Sequence, residues 1–214
     1  MTYLNREWKN TKNKFNTLFV LLVLMAVLTL SACKPDVVAP SYQPSSVLPD
    51  EAYGMVYGKR LYLTSIGQAL DIETLAANLD HYPEISYIMD NELYASEVES
   101  GSVVFIAVGC SFKALTESGL TKQSETERAE EFIRRANNGE ISIVSWHIGG
   151  VARRGSTSDS LIELLFKNSQ LALFTAAGNN DLFLSDWAIE ADVSYCQFET
   201  SIGEVIECMT EKVK

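Results

Sequence analysis

Histidine is scarce in this chain of 214 residues, with His81 and His147 the only two. Neither sits in an H-E-x-x-H pair, and the four cysteines include no C-x-x-C pair, so no dedicated metal site is expected. A three-glycine dinucleotide fingerprint and a P-loop lysine are both missing, and no cofactor is expected. Basic side chains are outnumbered 17 to 28, for a net charge of −11. A nucleic-acid surface needs a basic footprint, so that partner is excluded. No internal repeat, heptad segment or Cys-rich stretch is present, which leaves neither a solenoid nor a disulfide scaffold.

The first 32 residues read as a signal rather than as part of the fold. Arg6, Lys9, Lys12 and Lys14 precede an apolar run from Phe15 to Leu30, the layout of a secretory signal peptide. Leu30-Ser31-Ala32-Cys33 then looks like a bacterial lipobox, in which the precursor is cut before the cysteine and that cysteine carries the lipid. Removing residues 1–32 takes away four basic residues and Glu7, leaving 13 basic against 27 acidic side chains and a net charge of −14. Anionic lipid heads repel such a surface, so the lipid on Cys33 would hold the protein to the membrane. Residues 33–50, with Pro35, Pro40, Pro44 and Pro49, read as a lipidated cysteine and an extended tether. The expected location is extracytoplasmic, anchored to the bacterial cell membrane. With Cys33 assigned to the lipid, Cys110, Cys196 and Cys208 are an odd number. Cys196 and Cys208 could pair by spacing, although buried free thiols suit both positions better.

Residues 51–214 read as a single α/β domain. Strands are expected at Arg60–Thr64, Ile85–Met89, Ser102–Val108, Ile141–Trp146, Leu171–Thr175 and Val193–Phe198. Ser102–Val108 is almost continuously apolar, as a central parallel strand buried on both faces should be. Helices alternate with them: Gln68–Leu79, then one led by Ser124 and Glu127 with Ala129, Phe132, Ile133 and Ala136 inward. A third is capped by Ser156 and Asp159, a fourth carries Phe183, Leu184, Trp187 and Ala188, and a fifth follows Ser201 and Glu204. Ser65 and Gln68 have capping-box spacing before the first helix. About a dozen residues between Ser111 and Ser124 read as loop. Alternating strands and helices with right-handed crossovers give a three-layer α/β/α sandwich, Rossmann-like or flavodoxin-like. Its mostly parallel sheet has five or six strands, ordered 2-1-3-4-5 with a sixth at the edge.

In such a sheet the loops at the carboxyl ends of the strands line the crevice where ligands sit. Those loops offer Ser65, Gly67 and Gln68; Gly109, Cys110 and Ser111; His147, Gly149, Gly150, Arg153, Arg154, Gly155 and Ser158; and Gly178 and Asn179. Glycines let backbone N–H groups approach a ligand, a helix begins near Ser156 with its positive dipole end, and an arginine can grip a carboxylate with two parallel bonds. Adjacent loop residues rarely point the same way, so one arginine is expected inside and the other on a surface carboxylate. His147 could pin its loop, touch the ligand or serve as acid or base. A thiolate–imidazole pair with Cys110 is conceivable, but a packed thiol suits the position better, and Gly109-Cys110-Ser111 is not a G-x-S-x-G elbow.

The globular part resembles DUF6305, a bacterial family, from about Arg60 to Glu211. The resemblance rests on Leu63-Thr-Ser-Ile-Gly-Gln68, Val108-Gly-Cys-Ser111, His147-Ile-Gly-Gly150, Ala152-Arg-Arg-Gly155 with Ser158-Asp159, and Gly178-Asn179-Asn180-Asp181. It implies a Rossmann-like fold, and its matched stretches are the same strand-end loops. The family usually has a second small residue at the position of Cys110, which weakens a thiol-nucleophile reading. It commonly has a lysine near Asn180, a cation this chain lacks.

Together these readings point to a lipid-anchored protein that binds a small polar or anionic, carboxylate-bearing molecule. It would serve uptake or sensing, with a membrane transporter or sensor as partner. Two alternatives stand beside it. One is an envelope hydrolase or isomerase using His147 with Ser65, Ser111 or Cys110, and the other is a structural or interaction protein without a small-molecule ligand.

Overall fold

Leu61–Ile66 (β1) and Val103–Val108 (β3) are buried along their whole length, because helices cover both faces of the sheet that they centre. The computed structural model describes residues 54–199 together with Gly203, Ile206 and Met209. The other four strands are Tyr87–Met89 (β2), Ser142–His147 (β4), Leu171–Thr175 (β5) and Ser194–Phe198 (β6). All neighbours pair in parallel, in the order β2-β1-β3-β4-β5-β6. This is the expected sheet, with the sixth strand at the far edge.

Side chains alternate between the two faces with the period of two that a strand imposes. Leu61, Leu63, Phe105, Trp146 and Leu173 point to one core, where Asp71–Leu79 (α1) adds Ile72, Leu75 and Leu79. Ile206 and Met209, both helical, join this face. Tyr62, Val104, Ile106, Ile143 and Phe174 point to the other core. That side is covered by Phe132 and Ile133 of Lys122–Asn137 (α3), Leu161 and Ile162 of Ser156–Phe166 (α4), and Leu184 of Phe183–Glu190 (α5). The result is a three-layer α/β/α sandwich.

Helix starts depart most from expectation. Ser65 does not cap α1: it belongs to β1, is buried, and donates its hydroxyl to the Asn91 carbonyl at 3.2 Å. The chain turns at Gly67 and Gln68, both at positive φ, and α1 begins at Asp71. The expected loop before Ser124 holds a short helix, Phe112–Ser118 (α2), because the Ser111 hydroxyl accepts from the Ala114 N–H. The capping box of α3 is Thr121 with Ser124, one turn ahead of Ser124 with Glu127. At α4, Ser156 is the first helical residue rather than the cap, and Asp159 accepts from the N–H of Gly155. The signal peptide, Cys33, the tether, Ser201, Glu204 and Cys208 lie outside the described residues. Among the described residues no helix is long and apolar enough to cross a membrane.

An ion pair that the pattern of apolar residues does not announce ties α3 to the end of β1. The Glu125 side chain is fully buried and accepts from Arg128 at 2.8 and 3.1 Å. Arg128 also donates to the carbonyls of Ser65 and Leu93 (Leu93 at 3.1 Å), and Glu125 accepts the Gly67 N–H at 2.5 Å. Through Ser65 and Gly67 the pair holds the backbone at the end of β1, and through Asn91 and Leu93 it holds the segment after β2. Replacing one partner strands the other charge in the interior, which costs about 3–5 kcal/mol. Arg128→Met should therefore lower the urea midpoint by that amount of stability; a loss under about 1 kcal/mol would mean that the pair does not anchor the fold.

Candidate functional site

In this strand order β1 has β2 on one side and β3 on the other, so the connections leaving β1 and β3 run in opposite directions. The crevice between their carboxyl ends is where open α/β sheets take ligands. A cavity of about 300 Å³ lies there, walled by Gln68, Asp71, Gly109, Cys110, His147 and Arg153, with Ala69, Leu70, Ser111 and Ala152 completing it.

The loops around it are tied to one another. The N–H groups of Gly109, Cys110 and Ser111 donate to the Ile66 carbonyl, the Ser158 hydroxyl and the Gly67 carbonyl at 3.0–3.1 Å. These three amides join β1, β3 and α4. Gly67 is required by close approach: a Cβ there would lie 2.0 Å from the Gly109 carbonyl oxygen.

His147 ends β4 and is 1% exposed. Its Nδ1 lies 2.8 Å from the Val108 carbonyl oxygen. A carbonyl only accepts, so Nδ1 carries the proton and Nε2 presents a lone pair. Burial pushes the imidazole below its ordinary pKa, the Val108 bond and the Asp71 and Asp159 charges oppose that, and the Arg154 charge reinforces it. The ring is held neutral. Its Nε2 and the Nε2 of Gln68 are both buried with no hydrogen-bond partner among the described residues.

The two arginines part, one enclosed and the other exposed, and the exposed one is at the cavity. Arg154 is the inward one, its side chain 4% exposed, yet it is caged away from the cavity. It donates to Asp159 at 2.6 Å, to the Gly178 carbonyl at 3.0 Å and to Asp181 at 3.4 Å, and sits 5.3 Å from the Trp187 ring centre. Arg153 is 57% exposed, lines the cavity, and donates from Nη1 to the buried Asp71 carboxylate at 2.7 Å. Gly149 makes this possible, since a Cβ there would stand 2.7 Å from the Arg153 Cδ.

Of the residues singled out in the sequence, Gln68, Gly109, Cys110, Ser111, His147 and Arg153 meet at the cavity. Ser65, Gly67, Gly149, Gly150, Arg154, Gly155, Ser158, Gly178 and Asn179 lie outside its lining. Gly178 packs on the Gly149 carbonyl, and Asn179 holds Ser185, Gln197 and the N–H groups of Leu184 and Ser185. Asp71 went unnoticed because an acid in a helix's first turn ordinarily faces water as a dipole partner. Desolvation by burial, with the Glu125 charge, pushes the Cys110 thiol up against the Lys122 charge, which favours the unreactive thiol. Among the described residues no hydroxyl or thiol is hydrogen-bonded to His147.

Residues 58–210 match a family described as a domain of unknown function, DUF6305. No curated protein and no solved structure matches the chain at a significant level.

His147 links stability to pH. Its folded pKa lies below the unfolded value of about 6.5, so the unfolded chain takes up the proton first on acidification. Its contribution is complete above pH 6.5 and falls as the pH drops toward the folded value, at up to about 1.4 kcal/mol per pH unit. Between pH 7.5 and 5, denaturant unfolding of the native protein should lose stability faster than that of His147→Asn. Parallel pH curves for the two would show that the ring is not kept neutral by the fold.

Proposed function

The chain belongs to the DUF6305 family, and from that premise we propose that it is a lipid-anchored extracytoplasmic protein that binds a small carboxylate-bearing molecule at the β1/β3 crevice. It would work within an uptake or sensing system, with a membrane transporter or sensor as partner. The observation that carries this reading is an exposed guanidinium at a polar cavity. Arg153 has one nitrogen engaged by Asp71 and leaves the rest of its fork open to a carboxylate. Asp71 holds the arginine in place, which lowers the ordering cost of binding. A cavity of about 300 Å³ suits a ligand of metabolite size. In a mature chain of net charge −14 the general surface repels anions, so capture depends on this local cation.

A thermal-shift screen over carboxylates, sugar acids, amino acids and phosphates tests the site. A carboxylate at 100 times its Kd should add about 2.7 kcal/mol of stability. Arg153→Ala should abolish that shift, measured against the variant's own ligand-free melting temperature, which reflects the loss of the Asp71 pair. Arg154→Ala should instead lower the ligand-free melting temperature, because it empties the cage of Asp159, Asp181 and Trp187. If Arg153→Ala retains every ligand response, the binding reading falls.

The anchor has its own test. Lys34 to Pro49 would serve as the tether between the lipid and the domain. Cys33→Ser should lose incorporation of a labelled fatty acid and move the protein out of the membrane fraction; unchanged labelling would remove the lipid anchor from the reading.

A further inference from the structure

Two residues of the cavity wall, Gln68 and His147, each hold a buried side-chain nitrogen with no partner among the described residues, and the two nitrogens have opposite hydrogen-bonding senses. Gln68 Nε2 can only donate. His147 Nε2 can only accept, because the Val108 carbonyl holds the proton on Nδ1. Leaving such atoms unpaired costs free energy that a matching ligand recovers. Gln68 is also kept in the left-handed region, at φ 60°, a conformation that few residues other than glycine adopt.

A plain carboxylate answers only half of this wall. Its oxygens accept from Arg153 and Gln68, but they offer nothing to the imidazole lone pair. A neutral sugar could answer both nitrogens and would leave the Arg153 charge without a counterpart. We infer that the ligand is a carboxylate bearing a hydrogen-bond donor, hydroxyl or ammonium, on the adjacent carbon, with the donor given to His147 Nε2 and the carboxylate shared by Arg153 and Gln68. An ammonium would gain further from Asp71, whose buried carboxylate stands on the same cavity wall. A hydroxyl would leave that carboxylate to Arg153 alone. This inference rests on the binding reading above and narrows it to 2-hydroxy and 2-amino acids.

The test is a titration by calorimetry of the full mature chain with butanoate, 2-hydroxybutanoate, 2-aminobutanoate and 2-hydroxybutanamide. At least one of the two donor-bearing acids should bind about tenfold or more tightly than butanoate, and which one wins tells hydroxyl from ammonium. The amide, which has the donor without the charge, should bind more weakly than 2-hydroxybutanoate. His147→Phe should erase the preference over butanoate. Should that variant fail to fold, Gln68→Leu supplies the second arm: it should weaken all three acids alike and keep the preference. Equal binding of butanoate and both substituted acids overturns this inference and leaves the carboxylate reading intact. Tighter binding of the amide than of 2-hydroxybutanoate overturns the carboxylate reading itself. No binding by any of the acids counts against both.

Discussion

The geometry of the crevice depends on a charge pair that is almost wholly buried. Glu125 and Arg128 lie one turn apart on α3, and between them they bind the backbone at Ser65, Gly67 and Leu93. A buried pair of this kind is no guarantee of net stability, because both ions give up their hydration. It does dictate where the chain must run. The Ser65 carbonyl near the end of β1 is held by a planar fork and the Gly67 amide by a carboxylate, so the turn that presents Gln68 has little freedom. From that turn the Gly67 carbonyl reaches the Ser111 amide, and the Cys110 amide reaches Ser158 on α4. Three loops from separate parts of the sequence are thereby set against one another without involving the side chains that face the cavity.

Charge is deployed unevenly around this frame. Arg154 is enclosed by two carboxylates, a carbonyl and two aromatic rings, so it braces the loop after β5 against α4 and α5. Arg153, next in sequence, emerges from a short 3-10 turn on the other side and meets a single buried carboxylate. The same residue type thus serves as brace and as recognition group, and what separates them is how many acceptors each has already met.

The sheet was legible in the sequence because its signal is repeated. Val103–Val108 and Leu171–Thr175 are apolar runs of strand length, and the alternating helices carry inward stripes such as Ala129, Phe132, Ile133 and Ala136. Helix starts were legible less well, since Ser, Thr and Asp recur every few residues and the true cap is chosen by tertiary contacts. Ser65 shows this: its hydroxyl finds the Asn91 carbonyl, far away in sequence, before it can cap anything. The crevice was legible as a set of loops, and their glycines and polar residues do border it. The partition of roles was not. Which arginine is enclosed depends on Asp159, Asp181 and Trp187, and the importance of Asp71 depends on a loop eighty residues further on. Asn179 reads as a ligand group until Ser185 and Gln197 are seen to fill its hydrogen bonds.

The bond from His147 to Val108 acts as one more rung on the β3–β4 ladder. The backbone register of that pair ends at Ala107 opposite Trp146, and the imidazole carries the cross-link one residue further with its own N–H. An imidazolium would still donate through Nδ1, so acid does not cut the rung. It penalises only the burial of charge. Protonation of the ring would thus take up the lone pair at Nε2 without breaking the Nδ1 bond that joins the two strand ends.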